Sequence, residues 1–368
     1  MNKAIVDKRL SSATEERELS HNVFLVAPGV YRMKDLFVNV FIIQDAEATG
    51  WVLIDAGLKS SAPKIKLMVE ELFGSKGSTP KAIVMTHAHF DHRGSLQQLV
   101  EEWNVPVYCH HMELPYLTGK SSYPPPDPSV GGGMMATLSF IYPKSPIDIK
   151  EHLLELPEDG NIPGLEEWKW IHTPGHTPGH ISLFREKDGV LVAGDAFVTT
   201  MQESIISVAT QAKLISGPPK YFTPDWGAAA RSVKELASLE PNVIVTGHGQ
   251  AFYGDEARKD LHKLARDFWK LGIPATGRYV KEAAEFNENG MPTHIPAPKG
   301  IMLKRLAIAA GLMALGYIIY QQRRHTKGMN KTLSKQLGKA LMLSSYGAIG
   351  AVAPASPAVP DIPLIPAF

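Results

Sequence analysis

Thr86-His87-Ala88-His89-Phe90-Asp91-His92 puts four metal-capable side chains into six positions, His87 to His92. It follows directly on Ala82–Met85, a short apolar run of buried-strand type. In an extended backbone alternate side chains share a side, so His87 and His89 can point together. Asp91 and His92 come where the chain should turn into the next helix, Leu96–Trp103, and can approach from another direction. Imidazole and carboxylate together suit zinc, iron or manganese.

Working outward, three further segments repeat the pattern of an apolar strand that ends in a metal-capable residue. Trp168–His172 leads into Thr173-Pro174-Gly175-His176-Thr177-Pro178-Gly179-His180, Val190–Ala193 into Gly194-Asp195, and Val243–Val245 into Thr246-Gly247-His248-Gly249. Ligands delivered from strand ends to one rim make a rigid site, and glycines beside them let the backbone come close. His172 and His180 flank His176 at four-residue spacing, but Pro174 and Pro178 exclude a regular helix there. Both are read as supporting rather than ligating, and His110-His111 as an ordinary strand-end pair.

The rest of the chain supplies the frame. Val23–Ala27, Val30–Met33, Phe37–Gln44 and Trp51–Asp55 read as strands, Pro63–Phe73 as a helix, and Val105–Cys109 as another strand. Ile181–Phe184 continues the strands, Trp226–Leu239 and Asp255–Leu271 read as helices, and Val243–Thr246 lies between them. Strands followed twice by helix–strand pairs predict an α/β layered fold with sheets inside and helices outside. Residues 114–146 carry Pro124-Pro125-Pro126, Gly131-Gly132-Gly133 and little periodicity; an irregular loop this long is expected on the substrate side. Tyr221, Phe222 and Trp226 are candidates either to line a pocket mouth or to pack in the core.

These residues resemble the metallo-β-lactamase superfamily, and within it the glyoxalase II-like and lactonase-like hydrolases. The His-x-His-x-Asp-His motif stands as His87, His89, Asp91 and His92; the later ligands match His176, Asp195 and His248; an Asp-x-Gly matches Asp55-Ala56-Gly57. The resemblance covers roughly residues 20–270 and implies a four-layer αββα sandwich. It implies that His87, His89 and His176 hold one divalent metal, that Asp91, His92 and His248 hold a second, and that Asp195 bridges them. Zn2+ is the first expectation, with Fe or Mn as alternatives. Two such ions can share a water and lower its pKa from ~15.7 toward ~7, and the bridging hydroxide would attack a carbonyl whose oxygen the metals polarise. Asp91 is the candidate to orient that nucleophile and pass a proton to the leaving group. Asp55 is the candidate partner for the second nitrogen of a ligating histidine.

The substrate expected from the resemblance is a small molecule with an ester, lactone or thioester bond. An Asp at the bridging position, here Asp195, argues against an antibiotic-hydrolysing role. Acyl-homoserine lactonases place Tyr three residues after that Asp, where this chain has Val198. Two alternatives share the fold: a phosphodiester or nucleic-acid hydrolase, and a mono-iron sulfur (persulfide) dioxygenase. A formal net charge of +1 over 368 residues gives no case for nucleic acid. It averages an acidic body with a basic tail, because after residue 300 eight Lys and Arg face Asp361 alone. A polyanion would need a basic groove on the body.

Cys109, the single cysteine, allows no intrachain disulfide, and Met1–Ser20 lacks the apolar core of a signal peptide. A cytoplasmic location is expected. The division expected is a polar segment over 1–20, a catalytic domain over 21–272, a linker over 273–300, an apolar and basic helical tail over 301–353, and a proline-rich disordered end over 354–368. Leu306–Tyr320 is uninterrupted apolar sequence of 15 residues, roughly 22 Å of helix against a ~30 Å hydrocarbon core. With the basic residues that follow, it suits association with an anionic membrane, spanning it or lying on it, or else a helix that packs on the body or pairs two subunits as a homodimer. A chain truncated after Gly300 is expected to be more soluble and still active; loss of activity with metal retained would place the tail in the active site.

Overall fold

A computed structural model describes residues 15–74 and 79–298, together with 311 and 317. The tail and the proline-rich end expected beyond residue 300 therefore lie outside the described residues, apart from those two positions. Among the described residues no helix is long and apolar enough to cross a membrane.

Two sheets form the centre. The first runs in sequence order through β1 (Arg17–Ser20), β2 (Val23–Ala27), β3 (Val30–Asp35), β4 (Val38–Gln44), β5 (Trp51–Ile54), β6 (Ala82–Val84), β7 (Val107–Cys109) and β8 (Leu153–Glu155). Its first five strands are antiparallel, joined by short connections; from β5 onward neighbours are parallel, and helices Ala62–Phe73 and Leu96–Trp103 make the first two crossovers. The second sheet comprises β9 (Asn161–Ile162), β10 (Leu165–His172), β11 (Ile181–Arg185), β12 (Val190–Val192), β13 (Val243–Val245) and β14 (Phe252–Tyr253), in the order β14-β13-β12-β11-β10-β9. Only β12 and β13 pair in parallel there, joined by a crossover that contains helix Trp226–Ser238.

The layering follows from which face each apolar residue takes. In β4, Phe41 and Ile43 face the second sheet and meet Trp168, Leu183 and Val192, while Val40 and Ile42 face the helices and meet Ile65, Met68 and Leu99. Both faces being covered, β4 reads as continuous apolar sequence rather than alternation. On the far side Leu191 and Ile244 pack on Val233, Leu236, Leu261 and Leu264 of the outer helices. Each such side chain contributes about 1.5–3 kcal/mol relative to leaving it in water. The architecture is the four-layer αββα sandwich.

Three expected boundaries change. Arg17–Ser20, assigned above to a polar N-terminal segment, pairs with β2 and forms the sheet edge; an edge strand needs backbone partners more than apolar side chains. The helix expected over Asp255–Leu271 breaks at Asp267 into Gly254–Arg266 and Phe268–Leu271, turning Phe268 into the core. Within the linker expected over 273–300, residues 279–294 are part of the body: Tyr279 and Ala284 are buried in the outer core, and β15 (Glu285–Phe286) pairs with β16 (Pro292–His294). Gly290 at that hairpin's turn accepts a hydrogen bond from the Tyr116 hydroxyl.

Candidate metal centre

The parallel strands deliver their C-terminal ends to one edge. Asp55 follows β5, His87–His92 follow β6, Asp195 follows β12, His248 follows β13, and the loop from β10 to β11 brings His176. All seven candidate ligands are buried, none more than 6 % exposed. They form three overlapping groups whose nitrogen and oxygen atoms lie within 4.8 Å of one another: His87, His89 and His176; His87, His92 and Asp195; Asp91, His92 and His248. Asp195 Oδ2 lies 3.1 Å from His248 Nε2, 3.4 Å from His176 Nε2 and 3.6 Å from His92 Nε2. Two of the three groups have the membership that the resemblance implies; the third, His87, His92 and Asp195, spans both of them.

Hydrogen bonds behind the rings fix which nitrogen faces inward. His92 Nδ1 donates to Asp55 Oδ2 at 2.7 Å, and His248 Nδ1 donates to the Phe37 carbonyl at 2.5 Å. The Thr86 hydroxyl donates to Asp55 and the Thr223 hydroxyl to the Pro219 carbonyl, so each has an acceptor left for His87 Nδ1 (3.0 Å) and His176 Nδ1 (3.5 Å). In His87 and His176 the proton is thereby held on Nδ1 and the Nε2 lone pair is presented to the centre. Burial opposes charge on His92 and His248, but Asp195 outweighs it and raises both pKa values; His248 Nε2 donates to Asp195 Oδ2 at 3.1 Å, a proton that a metal ion would displace.

Those inward atoms fit divalent cations. His87 Nε2, His92 Nε2 and Asp195 Oδ1 are buried without a hydrogen-bond partner, which is costly unless a ligand satisfies them. Burial, with neighbouring imidazoles adding to it, holds the pKa values of His87 and His89 well below the usual range and brings His176 down to about 3. Neutral imidazole is the ligating form. With the His176 proton on Nδ1, His89 Nδ1 donates to His176 Nε2 at 2.9 Å, so these two inward nitrogens bond to each other where a cation would otherwise take both. Burial opposes the charge on Asp195, but His248 and His92 outweigh it and hold the carboxyl well below the usual carboxylate range.

The supporting residues divide into read and unread. Asp55 takes the backbone N–H of Thr86 at 2.8 Å as well as His92, the partner role expected of it. It does so at φ 62°, a left-handed conformation uncommon outside glycine. His180 Nε2 accepts from the Asp195 backbone and is taken out of the ligand set; His172 holds the Pro178 carbonyl at 2.8 Å. Asn39 was not singled out by the sequence. Its amide donates to the carbonyls of Thr246 and Gly249, both at 2.8 Å, and so steadies the His248 loop. Nor was Glu113, a wholly buried carboxylate whose Oε1 accepts from Thr177 Oγ1 and Oε2 from the Ala88 N–H.

The irregular 114–146 segment reaches the centre. Tyr123, Pro124 and Pro125 line a pocket with His89, His176, Phe222, Pro224 and Tyr279. The Phe222 ring stacks on His89 at 4.4 Å. Trp226 instead packs in the outer core against Phe268, and Tyr221 against Val130 and Ala136, so of those three aromatics Phe222 is the one that lines the pocket.

The family model of the metallo-beta-lactamase superfamily matches residues 33–248, from β3 through His248. The chain belongs to that superfamily. Within it, the chain is 49% identical over 243 residues to the "Probable metallo-hydrolase YflN" of Bacillus subtilis (strain 168), covering 66% of this chain and 92% of the relative. It is 25% identical over 252 residues to a second protein of that organism, "Probable metallo-hydrolase YybB", covering 68% and 99%. Among solved structures, TTHA1623 in a di-iron-bound form is 28% identical, with 64% of this chain and 96% of that one covered and a TM-score of 0.42.

Proposed function

We propose that this chain is a metal-dependent hydrolase with two divalent ions, acting on the carbonyl of an ester, lactone or thioester. The observation that carries it is Asp195: one buried carboxylate within 3.1 to 3.6 Å of three inward imidazole nitrogens drawn from three different loops. The kinship with proteins named metallo-hydrolases supports the class of reaction. When bound, the metals would supply a water of lowered pKa and Lewis-acid polarisation of the carbonyl oxygen.

The chain's own residues then have separate tasks. His87, His89 and His176 would hold one ion, Asp91, His92 and His248 the other, with Asp195 between them. Asp91, 5 % exposed and with Oδ2 3.7 Å from His248 Nε2, is placed to orient the nucleophile and to carry a proton toward the leaving group. Burial raises its pKa in the metal-free chain. Tyr123, Pro124, Pro125, Phe222, Pro224 and Tyr279 line a small pocket beside His89 and His176.

The test is metal analysis coupled to a panel of esters, lactones, thioesters and phosphodiesters. Two zinc-like ions per chain with turnover of carbonyl substrates is the expected result. One iron per chain with oxygen consumption on persulfides would select the dioxygenase, and turnover confined to phosphodiesters would select that alternative.

A further inference from the structure

Glu113 connects the two loops that carry His87, His89 and His176. Its Oε2 accepts from the backbone N–H of Ala88, between two candidate ligands, at 2.9 Å, and from the Tyr123 hydroxyl. Its Oε1 accepts from Thr177 Oγ1 at 2.8 Å and from the backbone N–H of Gly179 at 2.9 Å, just beyond His176. Gly179 has to be glycine for this approach, since a Cβ there would lie 2.8 Å from Glu113 Cγ. The Tyr123 hydroxyl also accepts from the Ala88 N–H at 2.9 Å, and its ring lies 4.5 Å from that of His89. Four donors thus converge on one buried carboxylate, and among the described hydrogen bonds none of them comes from Asp91, His92 or the 246–249 loop. His92 and His248 are held by Asp55 and the Phe37 carbonyl instead.

We propose that Glu113 is a positioning residue that sets the occupancy of the His87, His89 and His176 subsite and leaves the Asp91, His92 and His248 subsite to other supports. The proposal rests on the two-metal reading above. Its physical basis is the fixed spacing of two loops: without the carboxylate, Ala88 and Gly179 present N–H groups to each other with nothing between them, and the loops must separate or take in water. Three imidazoles that should converge within one coordination sphere would then be spread.

The experiment is stepwise zinc removal by a coloured chelator from the full-length holoprotein, comparing the wild type with E113Q and E113D, with folding checked by circular dichroism. Gln keeps the shape but turns an amide NH2 toward a backbone N–H that cannot accept. One of the two release steps is expected to weaken by about 10–100-fold in E113Q, as for other partners of metal ligands, and the other by less than about threefold, with E113D between wild type and E113Q. Adding E113Q to a His89→Ala background, which lacks the affected subsite, should change the remaining step little. In the cobalt-substituted protein the visible spectrum of one ion should shift. Equal weakening of both steps, or of neither, in folded E113Q or E113D would overturn the role of Glu113. A wild-type chain holding a single metal would sink the two-metal reading instead.

Discussion

Replacing Asp195 by alanine is expected to lower kcat/KM by at least about 10³-fold, or ~4 kcal/mol of transition-state stabilisation, and to reduce bound metal from two ions to fewer than one per chain. The size follows from position. Asp195 Oδ2 is within 3.6 Å of nitrogens of His92, His176 and His248, so on the proposed two-metal reading its loss would remove a ligand from both subsites at once. On the same reading it would also remove the negative charge that offsets two nearby dications. The fold should survive, because the packing that holds the sheets together runs through Phe41, Trp168, Leu183 and Val192 rather than through the site. The measurements are metal content, hydrolysis of the best carbonyl substrate and thermal unfolding of the metal-free protein. Wild-type turnover in a folded D195A chain would falsify the bridging role.

The candidate ligands are legible in the sequence because each one ends or closely follows an apolar strand, and strands that pair in parallel must release their C-terminal ends on one edge. Periodicity also exposes the layers: β4 and β6 read as buried on both faces, and helices Ala62–Phe73 and Trp226–Ser238 show an apolar stripe. Illegible elements share a different property, namely that their partners are remote. Arg17–Ser20 contains one apolar residue and is a strand only because β2 lies beside it. Residues 273–294 have a linker's composition, yet Tyr279 bonds the Pro125 carbonyl and Ala284 bonds that of Pro224. Glu113 sits in Cys109-His110-His111-Met112-Glu113-Leu114, where nothing distinguishes it from a solvated strand-end acid. Its meaning comes from Ala88, Thr177 and Gly179, 25, 64 and 66 residues away. Asp55 is the instructive contrast: its partners are also distant, but Asp55-Ala56-Gly57 matches the Asp-x-Gly of the superfamily and marks it as a candidate.

A single methyl group added at Gly247 is expected to disable the site nearly as completely as removing a ligand. Gly247 is in an ordinary backbone conformation, so alanine meets no torsional penalty there. The obstacle is space: its Cβ would overlap Asp195 Oδ1 and lie 2.7 Å from His92 Cε1. An alkyl group at a flexible surface could be accommodated by rotation of its neighbour. Here the Asp195 side chain is held at Oδ2 by His248 Nε2 at 3.1 Å, and His92 by Asp55 at 2.7 Å, so either moves only by breaking such a bond. The Gly247 backbone cannot retreat either, being bonded to Gly194 at 2.8 Å and to Asn39 at 2.7 Å. Relief must come from displacing the two ligands themselves, with a cost in the range for overpacked cores, about 1–3 kcal/mol of stability. Metal affinity should drop at least 10-fold and kcat/KM about 100-fold or more, because reacting groups misplaced by about 1 Å lose rate on that scale. Gly227→Ala is the control, since its nearest contacts are at 3.4 and 3.6 Å and it should match the wild type in both measurements. If G247A kept full metal content and turnover, the packing of Gly247 against Asp195 and His92 could not be what holds those two ligands in register.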